Sequence, residues 1–405
     1  MGVSTVGRKA LRILFVLTQA FDPNRGGVQM STYKLSRWFA GQGYTVGVFS
    51  FAREGHLEQD FALLFTAGAE GGHIAQSDGR KLAKVLETFE PDVVVNQMPY
   101  EHFIGEILLQ RKNYLLLGCL RNTLYSVRNN LADYGKRVLP SWVARAFHNP
   151  LGRAALLKLH RSRHGRDLSR ILQTYDYFVM FGPPNLEELE YFVANFDRDK
   201  IRLIPNSIPM VPDMLPHKER RLLWLGRVVH EQKRADLILE VWKRVSAKLP
   251  DWYLDIVGNG PALADIRRAI LEEGIARVEI HGRQVPDEYY RRAAIFFMTS
   301  SFEGFPNTLV EAQSFGAIPV IFDSYPVARW IVDSGQNGFL IRPFDVGAMA
   351  GRIIEIAKAE DRRRLAQQTL DSARRFEIGR VGAMWKELFE SEVPRHRKQV
   401  RAVRG

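Results

Sequence analysis

The chain has 405 residues, too many for one ordinary hydrophobic core and suited to two domains of roughly 200 residues each. Apolar residues make up 46% and charged residues 25%, a composition typical of folded globular proteins that excludes intrinsic disorder. Lysine and arginine exceed the acidic residues by 12, which favours an anionic partner: nucleic acid, an acidic membrane surface or a phosphorylated substrate. The single cysteine, Cys119, excludes an intrachain disulfide, and we predict a buried small hydrophobe in a reducing compartment.

The beginning of the chain imitates a signal peptide, because basic residues precede the short apolar run 13–17. The run lacks an Ala-x-Ala cleavage pattern and leads into a glycine turn, so we predict the first strand of a sheet. No stretch approaches the ~20 apolar residues of a membrane-spanning helix. We therefore expect a protein that does not cross a membrane.

The first half of the chain alternates short apolar runs with helical patterns, which indicates a parallel sheet covered on both faces. The predicted strands are residues 13–17, 45–51, 93–95, 115–120 and 177–181. Helices are predicted from residue 28 and over residues 81–87. Between residues 121 and 175 the pattern breaks down into an arginine-rich stretch with interspersed aromatics. We predict helices and loops inserted there at the carboxyl edge of the sheet.

The second half repeats the alternation more regularly, after a proline-marked linker at residues 206–216. Its predicted strands are residues 222–225, 253–257, 278–280, 295–299 and 318–322, with helices 234–249, 262–273, 287–294, 308–315 and 381–390. The predicted fold class is α/β, with two Rossmann-like doubly wound domains, 1–205 and 217–376, a C-terminal helix 377–394 and a basic tail 395–405. Two such sheets leave a cleft between the carboxyl edges of their strands, where ligands bind.

The sharpest motif lies in segment 301–311, where Glu303 and Glu311 are eight positions apart. Glu303 falls in a strand-to-helix loop, and Glu311 falls about one turn into the helix. A helix start offers unpaired backbone N–H groups and a partial positive charge, which suit a diphosphate. The N–H groups in question are those of Asn307, Thr308 and Leu309. The two glutamates would accept hydrogen bonds from hydroxyls on a sugar and a ribose. Thr308-x-x-Glu311 is also a capping box, and Glu303-Gly304 also fits a simple turn.

The segment resembles the signature of the retaining, GT-B-type glycosyltransferase family 4. The residues that carry the resemblance are Glu303 and Glu311, followed by Ala312, Gly316, Pro319 and Val320, then Gly335-x-Asn337-Gly338-Phe339-Leu340, and upstream Gly226-Arg227, Lys233 and Gly258-Asn259-Gly260-Pro261. The match spans most of residues 222–343, with weaker support from Gly26-Gly27 and Pro205-Asn206. The resemblance implies a GT-B fold and transfer of a sugar from a nucleotide-sugar with retention of configuration.

The resemblance also implies which residues hold the donor. Arg227 and Lys233 would clamp the diphosphate, and a guanidinium and an ammonium stabilise the charge that develops when a nucleoside diphosphate departs. Glu303 would orient the donor sugar and support the cationic centre, which makes Glu303, Lys233 and Arg227 the predicted catalytic residues. The remaining predicted donor-binding residues are Gly26, Gly27, Gly282, Arg283, Gly304, Phe305, Pro306, Asn307, Thr308, Leu309 and Glu311.

The sequence departs from the family at the end of one N-terminal strand. Many members have a histidine there, whereas this chain has Leu120-Arg121-Asn122. Arg121 and Asn122 become candidates for the acceptor side, Arg121 as the receiver of an acceptor phosphate. Asp197-Arg198-Asp199 fits the Asp-x-Asp pattern of metal-dependent transferases, but it lies near the linker, and we predict a solvated loop. No metal and no other cofactor is expected.

The expected function is transfer from a UDP-hexose or UDP-N-acetylhexosamine to a lipid-linked or polysaccharide acceptor. Lipopolysaccharide, capsule or exopolysaccharide biosynthesis is the expected setting, in the cytoplasm at the inner face of the cytoplasmic membrane. The basic excess suits peripheral association with an anionic membrane. Alternatives are an epimerase or phosphorylase of the same fold or, from another class, a basic nucleic-acid-binding protein. The last explains the charge but leaves the motifs of the second half unexplained, so no nucleic-acid partner is expected.

Overall fold

Two parallel sheets, one in each half of the chain, organise the computed structural model. The structure describes residues 10–23, 26–52, 60–69, 76–110, 113–125 and 150–404. The predicted insertion at 121–175 therefore falls partly outside the described residues, and its last part, 150–174, is one long helix.

The N-terminal sheet has seven strands in the order β3-β2-β1-β4-β5-β6-β7. Its strands are β1 Arg12–Leu17, β2 Thr45–Ala52, β3 Leu63–Ala69, β4 Val93–Asn96, β5 Leu115–Cys119, β6 Tyr177–Met180 and β7 Ile201–Leu203. The helices between them are α1 Gly27–Gly41, α2 Gln76–Phe89, α3 His102–Gln110, α4 Pro150–Thr174 and α5 Pro183–Phe192, with a 3₁₀ turn Arg198–Lys200. Buried apolar residues cover both faces of this sheet.

The C-terminal sheet has six strands in the order β10-β9-β8-β11-β12-β13. Its strands are β8 Glu219–Leu225, β9 Tyr253–Val257, β10 Val278–Gly282, β11 Ala293–Met298, β12 Ile318–Phe322 and β13 Phe339–Ile341. Its helices are α6 Asp236–Ser246, α7 Leu263–Glu272, α8 Asp287–Arg292, α9 Asn307–Ser314, α10 Pro326–Ile331, α11 Val346–Lys358 and α12 Arg362–Ala373, followed by a 3₁₀ turn Arg374–Phe376 and the final helix α13 Ile378–Arg404.

The predicted fold class is confirmed: both sheets are parallel and doubly wound, with a core on each face. In each sheet the strand order reverses beside its first strand, β1 in one and β8 in the other. Such switch points open a crevice at the carboxyl ends of the strands. The two crevices supply the loops that build the candidate site.

The chain passes between the domains twice, and the two passages lie side by side. The Ile208 N–H donates to Phe376 O at 2.9 Å, and the Ile378 N–H donates to Ile208 O at 2.9 Å. The Glu377 carboxylate also accepts from the Val211 N–H at 3.0 Å. These paired passages form a short hydrogen-bonded hinge.

Helix α13 returns to the N-terminal domain and completes its core. Val381, Trp385 and Phe389 are buried among residues of β1 and β2, and the Phe389 ring stacks on Phe39 at 5.2 Å between centroids. The predicted boundary at 394/395 is wrong, because the helix continues through Pro394 to Arg404 instead of giving way to a tail. Within the described ranges, every helix is too short or too polar to cross a membrane.

Candidate active site

The Lys233 ammonium and the Glu303 carboxylate meet at the carboxyl edge of the C-terminal sheet. Lys233 Nζ lies 2.6 Å from Glu303 Oε1, and the two side chains are only 13% and 8% exposed. Gln232 Nε2 donates to the other oxygen, Glu303 Oε2, at 3.3 Å, and its Oε1 accepts from Arg227 Nη2 at 3.1 Å. Gln232 therefore joins the three predicted catalytic side chains into one hydrogen-bonded row.

A glycine-rich crossing of two loops holds this row in place. A Cβ on Gly258, whose φ is +141°, would lie 1.8 Å from Gly226 O, so only glycine fits. The Gly258 N–H donates to Gly282 O at 2.7 Å, which ties the end of β10 to the same crossing. Arg283 follows as an exposed side chain. The loops after β8, β9 and β10 thus form one wall of the cleft.

Helix α9 begins without a side-chain cap. Its N-cap residue is Pro306, and the capping box considered for Thr308 and Glu311 does not form. The N–H groups of Asn307 and Leu309 donate to the Phe305 and Pro306 carbonyls in this structure. The Thr308 Oγ1 is buried, and among the described residues it has no hydrogen-bond partner. A buried hydroxyl without a partner costs free energy, and it fits a polar ligand at this helix start.

The Phe305 ring anchors the loop before α9 to both domains. It packs against Phe181 of the N-terminal domain at 5.4 Å between centroids and against Phe376 at 5.6 Å. Its side chain is therefore part of the interdomain core. Only the backbone of Phe305 is therefore available to contact a nucleotide-sugar donor.

Two N-terminal loops press against this loop from across the cleft. A Cβ on Gly27 would lie 2.8 Å from Asn307 Nδ2, and a Cβ on Gly304 would lie 2.7 Å from Asn122 Cα. The start of α1 therefore faces the start of α9 at van der Waals range. The structure brings Gly27, Gly304, Asn307 and Asn122 together at this point of the cleft.

Asn206, in the linker, connects the two sides of the cleft. Its Oδ1 accepts from Ser31 Oγ at 2.9 Å and from Arg121 Nη1 at 3.0 Å. Its Nδ2 donates to Asn307 Oδ1 at 3.1 Å. A residue that the sequence placed in a linker is therefore a polar junction of the candidate site.

Arg121 is held rigidly at the floor of the N-terminal crevice. Its Nε donates to Gln97 Oε1, and its guanidinium lies over the Phe181 ring. Burial lowers the pKa of Arg121, although arginine remains charged in proteins. Burial also raises the pKa of the neighbouring Cys119 thiol, which keeps it protonated, as expected for a buried small hydrophobe.

Glu311 is engaged on both oxygens. Lys34 Nζ, from helix α1, donates to Oε1 at 3.0 Å, and Tyr290 Oη donates to Oε2 at 3.1 Å. Burial raises the pKa of Tyr290 well above its ordinary value, so the phenol stays protonated and keeps donating. The second glutamate of the motif thus bridges the two domains.

One cluster of possible metal ligands occurs among the described residues: Asp255, Glu279 and His281. Arg221 occupies it, with Nη1 at 2.7 Å from Asp255 and 3.1 Å from Glu279. His281 Nε2 lies 2.7 Å from Asp255 Oδ1, and this contact gives the histidine a structural role. Asp197 accepts from the Asp199 N–H in an exposed turn. The geometry supports ion pairing in the first group and a solvated turn in the second.

Sequence reasoning missed four residues of this site: Gln232, Asn206, Lys34 and Tyr290. Gln232 stands beside the predicted Lys233, and Asn206 was noted only as family support. Lys34 and Tyr290 carry no local signal, because their partner Glu311 is 277 and 21 positions away in the chain.

The sequence profile described as "Glycosyl transferases group 1" matches residues 212–371, the part of the chain that supplies Arg227, Lys233, Glu303 and Glu311. The similarity to this family thus lies in the C-terminal domain. The chain is similar to the amylovoran biosynthesis glycosyltransferase AmsD of Erwinia amylovora, with 34% identity over 122 residues, 29% of this chain and 33% of that protein. Two further curated relatives are covered over 21% and 41% of their lengths. The chain thus spans less than half the length of each of these three relatives.

Solved structures match the whole two-domain arrangement. The lipopolysaccharide outer core galactosyltransferase WaaB in its apo form has a TM-score of 0.67 and 17% identity, over 94% of this chain and 100% of that one. The Anabaena protein HepE in complex with UDP and glucose has a TM-score of 0.68 and 15% identity, over the same shares. At these identities the likeness concerns the fold, and the fold is GT-B.

Proposed function

We propose that the chain is a retaining glycosyltransferase of family 4 type. It moves a sugar from a UDP-hexose or UDP-N-acetylhexosamine to a lipid-linked or polysaccharide acceptor in lipopolysaccharide, capsule or exopolysaccharide biosynthesis. One observation carries the proposal: two helix starts from different domains face each other at Gly27 and Asn307, beside the Lys233–Glu303 pair. Converging helix starts and a partly buried ammonium suit a diphosphate.

In the proposed reaction the bond between the anomeric carbon and the β-phosphate oxygen breaks, and the electron pair leaves with the nucleoside diphosphate. Lys233 and Arg227 stabilise that charge more strongly in the transition state than in the ground state. The acceptor hydroxyl attacks from the face that the leaving group vacates, and the departing phosphate takes its proton. Glu303 exchanges its present partner Lys233 for the sugar hydroxyls and orients the ring.

The choice of donor and setting rests on the relatives. The HepE structure contains UDP and glucose, and AmsD is named for amylovoran biosynthesis. With two cations from the chain at the diphosphate, we expect transfer without a divalent metal ion.

The membrane association that we propose rests on one face of helix α4. Leu151 and Leu159 are 84% and 55% exposed there. The exposed arginines Arg163, Arg166 and Arg170 follow Leu159 at helical spacing. Apolar and basic side chains on one exposed helix face suit the surface of an anionic bilayer.

Thermal stabilisation by nucleotides tests the function before the acceptor is known. A ligand that binds only the folded state raises the melting temperature by mass action. We expect UDP and one UDP-sugar to raise it equally with EDTA and with Mg²⁺, and GDP and ADP to have smaller effects. No shift with any nucleoside diphosphate would overturn the proposal, and a shift that requires Mg²⁺ would overturn its metal-independent part.

A further inference from the structure

Helix α1 turns one face toward the C-terminal domain. Gly27, Ser31 and Lys34 are separated by four and three positions, so they share that face. Gly27 lies against Asn307, Ser31 binds Asn206, and Lys34 binds Glu311. The three contacts run from the start of α1 to its middle and place α1 alongside α9.

The Lys34–Glu311 ion pair is the charged member of this set. Its two side chains are 15% and 18% exposed, and Lys34 Nζ also lies 3.5 Å from Ser207 O in the linker. Pairs that are removed from water in this way interact more strongly than surface pairs, because solvent screens them less. The pair thus connects α1, the linker and α9 at one point.

Glu311 is fixed from the other side by its own domain. Tyr290 Oη donates to Oε2, while Lys34 takes Oε1. An ionised carboxylate has about four lone-pair sites, so two donors leave room for hydroxyl groups of a ligand. Lys34 therefore orients the carboxylate and leaves some of its lone pairs free to accept hydrogen bonds from a ligand.

We propose that Lys34 is a positioning residue for the donor nucleotide, acting through Glu311. The inference rests on the proposed function. The ammonium holds the Glu311 carboxylate toward the ribose and keeps the start of α1 closed over the diphosphate. This contact is remote from the bond that breaks, and it is made equally in the ground state and the transition state. Its loss therefore raises KM and leaves kcat nearly unchanged.

The experiment compares Lys34→Met, Lys34→Gln and Lys34→Arg with Arg37→Met, which removes an exposed cation from the same helix. We expect the first two to raise the KM for the UDP-sugar and the Kd for UDP about 10-fold or more, with kcat within about 3-fold. Lys34→Arg recovers part of the affinity, and Arg37→Met behaves as the wild type. Melting temperatures of the free variants separate loss of folding from loss of binding.

A double-mutant cycle tests the route through Glu311. In a Glu311→Gln background, Lys34→Met should change the Kd for UDP by less than about 2-fold, because the two changes remove the same interaction. Full additivity overturns the proposal, as does an unchanged KM in Lys34→Met or a fall in kcat as large as the rise in KM. If the wild type binds no nucleoside diphosphate, the proposed function fails and this inference fails with it. Normal binding by both the wild type and Lys34→Met sinks only the role of Lys34.

Discussion

The two domains supply residues to the site in different ways. The C-terminal domain uses residues that follow neighbouring strands of its sheet, namely Arg227 after β8 and Glu303 after β11. The N-terminal domain contributes single positions from distant segments, such as Gly27, Arg121 and Asn122, and a basic helix surface. A diphosphate needs helix starts and glycine turns, which are local features, whereas an acceptor site is a surface assembled from many segments.

The largest effect on turnover is expected from substitutions in the C-terminal row that Arg227, Gln232, Lys233 and Glu303 form. We expect Lys233→Ala to fold and to lower kcat at least about 10²–10³-fold, the usual effect of removing one group that stabilises a developing negative charge. Glu303→Gln should give a loss of similar size without leaving a cavity. Turnover with a saturating donor measures both, and the control is Lys243→Ala, which changes a partly exposed, ion-paired lysine of α6. Wild-type turnover in Lys233→Ala would remove the row from the mechanism.

The interface between the domains is tested by two glycines. Gly304→Ala places a Cβ 2.7 Å from Asn122 Cα, and backbone cannot move aside cheaply, so we expect about a 10–100-fold loss of kcat/KM. Gly27→Ala meets only the end of the Asn307 side chain, at 2.8 Å, and should lose less. Gly351→Ala in α11 has open space around it and serves as control. Equal activity of the two interface variants would contradict the close approach at Gly304.

The basic surface of the N-terminal domain is tested separately from the donor site. Arg163→Glu with Arg170→Glu should weaken binding to phosphatidylglycerol-containing vesicles at least about 10-fold, since each basic residue near an anionic surface contributes about 1 kcal/mol. The KM for the donor should not change. The matched control is Arg267→Glu with Arg363→Glu, two exposed positions in the other domain. Vesicle sedimentation that does not distinguish the two pairs would argue against α4 as the membrane face.

The smallest predicted effect is on the pH dependence of the free energy of unfolding, and it concerns a histidine of α4. Burial, with a further contribution from His160, lowers the pKa of His164 from 6.5 to about 4, while Asp167 raises it. The unfolded chain therefore binds more protons between these two values, so the free energy of unfolding falls as pH falls from 6.5 to 4. His164→Phe should reduce that fall by roughly 1–2 kcal/mol. Urea unfolding at pH 7 and pH 4.5 measures it, with exposed His217→Phe as control, and an identical fall in both variants would contradict the assignment.

Much of the C-terminal domain was predictable because its signals are local. The predicted strands 253–257 and 318–322 coincide with β9 and β12, since each is a short apolar run between turns. In the N-terminal domain the edge strand β3 was not predicted, because its large apolar residues, Leu63 to Phe65, give way to Thr66 and three small residues. The predicted boundary at 394/395 is wrong because α13 continues to Arg404, and beyond Pro394 the buried His396 and the Arg397–Asp92 ion pair connect it to the N-terminal domain.

The residues of the candidate site likewise include some with a local sequence signal and some without one. Glu303, Lys233 and Gly304 stand in motifs that a sequence displays, and the structure places them together. The bonds of Asn206 to Ser31, Arg121 and Asn307 join positions 85 to 175 apart in the chain. Such pairings depend on how two domains face each other, and no periodicity or spacing encodes that.

Helix α13 bears on how the polypeptide matures during synthesis. Trp385 and Phe389 fill the core beneath β1 and β2, so these two strands wait for residues made about 370 positions later. At about 5–20 residues per second this interval is about 20–75 s. During it the N-terminal domain keeps an uncovered apolar face, and the C-terminal core also waits, because it needs Phe376, which is made shortly before Trp385. The two domains therefore complete their cores at nearly the same time, late in translation.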